Sequence, residues 1–213
     1  ETAAITGAPR GGRVERPAFV FGCGDITEWP TNAAMNTFDR LVGERLRFPS
    51  VNVLGNHDQG GREPSETLAN WLRERRGDLS YTFDCGGVRF LLVHSKYDES
   101  LNSPAQPLTD EALKFVRESL ADLGPGQPAI VATHLCFDAM TNRDQLVDAL
   151  GEANVLMVLG GHYHKAKVDT LRGTRFVQLP SPAPGSPSEF TVVRITPDRL
   201  TAIPFDYAEK KWV

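Results

Sequence analysis

Five apolar runs of five to seven residues punctuate the first three quarters of the chain: PAFVFGC (17–23), SVNVL (50–54), RFLLV (89–93), PAIVAT (128–133) and NVLMVLG (154–160). They are too short for buried helices and too uniformly apolar for strands wetted on one face. They therefore read as strands covered on both sides, the pattern of a sheet sheltered by other layers. Helical spacing fills the intervals. Met35, Phe38, Val42 and Leu46 recur along one face of residues 33–47, with Thr31 or Asn32 available as N-cap. Leu68, Trp71 and Leu72 do the same in residues 65–77, closed by Gly77. In residues 108–124, Thr109 is the expected N-cap, Asp110 and Glu111 suit the positive end of the helix dipole, and Gly124 is the expected stop. A fourth helix is expected near 143–150.

The stretch LSYTFDCGGVRFLLVH predicts a hairpin, since two β-rich runs flank Gly86-Gly87, a pair suited to a tight primed turn. From Lys165 onward, short alternating segments predict strands to the end, broken by the loop PSPAPGSPS at 180–188. The expectation is an α/β layered sheet in one domain over residues 17–213, preceded by a loop or poorly ordered lead-in over 1–16.

Bulk properties exclude more than they assign. At 213 residues one substantial core is possible. A balance of 23 basic and 27 acidic residues, with no basic stripe, disfavours a nucleic-acid-coating surface. No apolar run is long enough to cross a bilayer, so a soluble protein is expected, cytoplasmic or exported after loss of a leader. Cys23, Cys85 and Cys136 are widely spaced and read as reduced, packed thiols.

The chemistry gathers where the strands end. Asp25 follows the first run, Asn56-His57-Asp58 the second, His134 the fourth, and His162 and His164 the fifth. Loops leaving the carboxyl ends of strands are where open α/β sheets build their sites. Each piece alone has a plain structural explanation: Gly-Asp as an Asx turn, His134 as a rim histidine, GNHD and GHYH as solvated loops. An i, i+2 pair in extended backbone would nevertheless aim His162 and His164 the same way. Together these residues form an oxygen- and nitrogen-rich donor set suited to manganese, iron, cobalt or zinc. His94 also leaves a strand end, and reads as a hydrogen-bonded rim residue.

In this order, GD, GNHD, TH and GHYH resemble the calcineurin-like metallophosphoesterases, from about Pro17 to the end of the chain. The resemblance implies a two-sheet β-sandwich flanked by helices, with two divalent metals (Mn, Fe or Zn) at its rim. It implies that Asp25 bridges both metals, that Asn56, His134 and His162 complete the second, and that His164 serves the first. His57 would not bind metal; it would face a small phosphorylated substrate and protonate the leaving oxygen, with Asp58 orienting its ring. The implied reaction is hydrolysis of phosphomonoesters or phosphodiesters by metal-activated hydroxide.

Two departures qualify this. The family's opening Asp-x-His strand, which supplies the first metal, has no counterpart before Asp25. The expectation is that this chain lacks that first strand and is an incomplete copy of the working protein. The competing expectation is a degenerate metal- or ligand-binding domain without turnover. Purple acid phosphatases carry Tyr three residues after the Gly-Asp aspartate; here it is Glu28, read as an exposed turn residue. Substrate identity, metal identity and oligomeric state stay open.

Overall fold

Each of the five apolar runs carries a strand in the computed structural model, which describes residues 16–59, 67–183 and 185–213. The expected lead-in, apart from Arg16, lies outside the described residues. Strand β1 (Val20–Cys23) crosses over through helix α1 (Asn32–Arg45) to β2 (Ser50–Val53), which lies parallel to it. Thr31 is the N-cap of α1, its hydroxyl accepting from Ala34 N. Helix α2 (Thr67–Arg76) leads into a hairpin of β3 (Tyr81–Cys85) and β4 (Val88–Val93). Gly86 and Gly87 turn it with φ of 58° and 79°, the left-handed pair that a primed turn demands.

Helix α3 (Asp110–Ala121) is capped by Thr109, whose side chain accepts from Ala112 N, and stops three residues before the glycine expected to end it. Strand β5 (Ala129–Leu135), helix α4 (Arg143–Leu150) and strand β6 (Val155–Gly161) follow. Two hairpins complete the chain: β7 (Lys167–Leu171) with β8 (Thr174–Gln178), then β9 (Glu189–Thr196) with β10 (Arg199–Asp206), to which β11 (Lys211–Trp212) adds.

The main sheet has the order β3-β4-β5-β6-β8-β7, with a parallel centre and antiparallel edges. Strand alternation splits its side chains between two cores. Leu91, Val93, Val131, Val158 and Phe176 face α3 and α4, meeting Leu113, Val116, Leu146 and Leu150. Phe90, Leu92, Ile130, Ala132, Met157 and Leu159 face the other way, onto Val51 and Val53 of β2 and Leu68 and Leu72 of α2. Val193, Ile195, Leu200 and Ala202 of β9 and β10 pack against this second core. The result is the expected two-layer sandwich, with α3 and α4 covering its outer face.

The second layer is in two pieces. Among the described residues β1 hydrogen-bonds only to β2, and β9-β10-β11 form a sheet of their own. Because β1 and β2 run parallel, as do β4, β5, β6 and β8, the polar motifs fall at the carboxyl ends of strands: in the loops after β1, β2 and β6, and at His134 near the end of β5. Cys23, Cys85 and Cys136 are free thiols; burial raises the Cys136 pKa to about 12.

Candidate metal centre

The turn after β1 is built from two left-handed residues, Gly24 (φ 87°) and Asp25 (φ 51°). Asp tolerates that region better than most residues do. Gly24 is required on steric grounds as well: a Cβ there would lie 2.5 Å from His134 Nδ1 and 2.7 Å from Gly55 N. A Cβ on Gly55 would collide in turn with the backbone and carboxylate of Asp25. The two loops can approach this closely only because both glycines lack side chains.

This interleaving brings Asp25, Asn56, His134 and His162 together. His134 Nε2 lies 3.0 Å from Asn56 Oδ1, 3.1 Å from His162 Nδ1 and 3.4 Å from Asp25 Oδ2. His162 Nδ1 is 3.1 Å from Asn56 Oδ1. Donor atoms of Asp25, His134 and His162 all lie within 4.8 Å of one another, and no second such cluster of His, Cys, Asp and Glu occurs among the described residues. His134 Nδ1 sits 2.6 Å from the Cys23 carbonyl, so Nδ1 carries the proton and Nε2 presents a lone pair. The two imidazoles cross at 86°.

His162 is held neutral, its pKa pushed down to about 4, first by burial and then by the neighbouring His134 ring; the Pro104 carbonyl hydrogen-bonds the same ring. Only the neutral ring can offer a lone pair to a cation. The chemistry of this set fits a divalent ion. Lone pairs from an amide oxygen and two ring nitrogens point at one another with little to donate between them. Donors sharing one ion at about 2.1 Å would stand roughly 3–3.5 Å apart, the spacing seen here.

Two expectations need correction. The first is the shared aim of His162 and His164; His164, which the resemblance assigns to the other metal, lies outside this donor cluster. His162 and His164 both adopt left-handed backbone, φ 75° and 58°, so the extended geometry that would aim both rings alike is absent. His164 Nδ1 instead meets Ser186 Oγ at 3.2 Å. Asp58 does not orient His57. It is 1% exposed, and its carboxylate accepts from Gly55 N (2.8 Å), Thr27 N (3.0 Å) and Ile26 N (3.1 Å), and from the Thr27 hydroxyl. Burial raises the Asp58 pKa, opposed by those backbone donors. It welds the loop after β1 to the loop after β2. The Tyr163 ring packs against that of His162, their centroids 4.9 Å apart.

Glu28 is the exposed turn residue expected, and it is Glu28 rather than Asp58 that meets the His57 ring. Its carbonyl oxygen lies 3.0 Å from His57 Nδ1 and its carboxylate 3.8 Å. His57 is tied to the cluster through its backbone N–H, which donates to Asp25 Oδ1 at 3.0 Å. Gln59 and Gln106 were also missed. Gln59 bonds the Gly55 carbonyl and Tyr97 N, and buried Gln106 bonds both the carbonyl and N–H of Asp98. Both fix loops at the rim. Glutamines in polar loops carry no signature that would mark them beforehand.

A family model described as calcineurin-like phosphoesterase matches residues 5–166. The human protein named serine/threonine-protein phosphatase CPPED1 is 29% identical over 176 residues, covering 70% of this chain and 54% of that protein. Its counterpart from Bos taurus is 30% identical over 185 residues, covering 76% of this chain and 58% of that protein. The chain thus spans about half the length of the curated relatives it matches. A solved structure described as "GAP50 the anchor in the inner membrane complex of Plasmodium" superposes with a TM-score of 0.61 at 14% identity, covering 92% of this chain and 76% of that one. That likeness concerns the fold alone.

Proposed function

Because this chain belongs to the calcineurin-like phosphoesterase family, we propose that it hydrolyses phosphoester bonds with a divalent transition metal (Mn, Fe or Zn) held by Asp25, Asn56, His134 and His162. The observation that carries this reading is the convergence of His134 Nε2, His162 Nδ1 and Asn56 Oδ1 at 3.0–3.1 Å. A bound divalent ion would supply positive charge against phosphoryl oxygens and acidify water.

The protein's own residues supply the rest. Three neutral donors and one carboxylate leave a divalent ion under-neutralised, so the site attracts an anionic ester. Asp25 divides its oxygens, Oδ1 accepting from His57 N while Oδ2 faces His134. His57 donates Nδ1–H to the Glu28 carbonyl, which leaves Nε2 as the atom that exchanges protons with substrate. As a water oxygen bonds to phosphorus and the ester phosphorus–oxygen bond breaks, the imidazolium gives its Nε2 proton to the departing oxygen, and the leaving group departs as an alcohol.

The alternative, a ligand-binding domain without turnover, draws on the single donor cluster among the described residues, where the family resemblance implies two metals. Hydrolysis of p-nitrophenyl phosphate and its bis ester with added Mn²⁺ separates the two. Turnover that falls with His57→Ala while bound metal persists supports the enzyme. Bound metal with no turnover by the full-length protein supports the binding domain. A small phosphorylated substrate is the proposed partner. No helix among the described residues is long and apolar enough to cross a membrane.

A further inference from the structure

A large apolar side chain stands in solvent beside His57. Trp29 is 57% exposed, and its ring centroid lies 5.9 Å from that of His57, with the planes at 63°. This exposure does not come from a loose loop. Thr27 and Pro30 on either side are buried. Thr27 N is bonded to Asp58, Glu28 O to the His57 ring, and Trp29 O to Thr31 N at 2.8 Å. The other tryptophans are used internally: Trp71 Nε1 donates to Asp39 under the Arg75 guanidinium, and Trp212 packs on Phe205. The indole N–H of Trp29 has no hydrogen-bond partner among the described residues. The loop is pinned so that a flat apolar surface faces outward next to the proposed proton donor.

We propose that Trp29 forms the leaving-group subsite and selects esters whose departing alcohol is an uncharged aromatic, an aryl phosphoester. This rests on the phosphoesterase reading above. The group on the oxygen that His57 protonates lies beside the His57 ring, whose centroid is 5.9 Å from that of the indole. Aromatic faces stack on such a surface with modest but specific gain. The Glu28 carboxylate, 79% exposed and paired among the described residues only with His57, works against a leaving group that bears a second anion.

The test compares phenyl phosphate with glycerol 2-phosphate as substrates, and phenylphosphonate with methylphosphonate as non-hydrolysable ligands, on the Mn²⁺-loaded full chain. Trp29→Ala should lower the phenyl-over-glycerol preference in kcat/KM about three- to tenfold, mainly through KM, and Trp29→Phe should restore most of it. In calorimetry, the preference for phenylphosphonate should shrink by the same factor. A purely structural role would move both substrates together. Trp29→Ala with the full phenyl preference, or a wild type that binds both phosphonates equally, overturns the subsite. If wild type binds the phosphonates with that preference but hydrolyses neither ester, the subsite stands and the turnover reading falls. If it binds neither phosphonate and hydrolyses neither ester, both fall.

Discussion

The Nδ1 of His134 is 2.6 Å from the carbonyl oxygen of Cys23, a bond between the end of one layer and a strand of the other. It sets the tautomer and leaves Nε2 free for a cation. His134→Ala and Asp25→Asn should each weaken Mn²⁺ or Zn²⁺ binding at least tenfold in calorimetry. Saturating metal should also raise the wild-type melting temperature. At a hundredfold excess over Kd the gain is about 2.7 kcal/mol, or about 5–10 °C for a chain of this size. Undiminished affinity in both variants would remove the metal centre.

His57 makes a different prediction, because its ring lies outside the donor cluster. His57→Ala should lower kcat about 10²- to 10⁴-fold with metal content intact, as read by stopped assays alongside elemental analysis. Loss of metal together with rate would reassign His57 as a ligand.

Asp58→Ala should act on stability. It strands the N–H groups of Gly55, Ile26 and Thr27 in a buried setting. A cost of about 3 kcal/mol follows at a conservative reckoning, or about 6–12 °C in melting temperature. Asp58→Asn, which keeps an accepting oxygen, should recover part of the loss. An Asp58→Ala variant that melts like wild type but turns over as slowly as His57→Ala would restore the orienting role.

His94 should sensitise the fold to acid. Its Nδ1 is buried without a partner among the described residues, and burial, helped by the Arg73 charge and opposed by Asp78, pushes its pKa down to about 4. The unfolded chain therefore binds more protons between the ordinary histidine value and 4. The stability is complete above the ordinary value and drains away as pH falls toward 4. From pH 7 to 5 the loss is about 2 kcal/mol, which His94→Gln should largely abolish in paired urea titrations. Equal pH dependence in the two proteins would refute this.

The layered fold was legible because buried parallel strands are continuous apolar runs and capped helices carry local signatures, as with Thr109 before α3 and Gly86-Gly87 in the hairpin. Asp25, Asn56, His134 and His162 were legible as a set because strand ends converge. The shared aim expected of His162 and His164 fails because it presumes extended backbone, whereas the turn after β6 is left-handed at both histidines. The contact of Glu28 to His57 was not legible because it is made chiefly by a carbonyl, which every residue type possesses. Asp58 was misjudged because adjacency to His57 in sequence says nothing about which way a buried carboxylate turns to find donors.

The four convergent donors arise from opposite halves of the sandwich, Asp25 and Asn56 after β1 and β2, His134 and His162 on β5 and after β6. An occupied centre thus acts as a tether across the cleft between the layers. Amide exchange should slow in β1 and β2 on loading, well beyond the residues that touch the ion, because neither layer can peel away without surrendering half of the coordination.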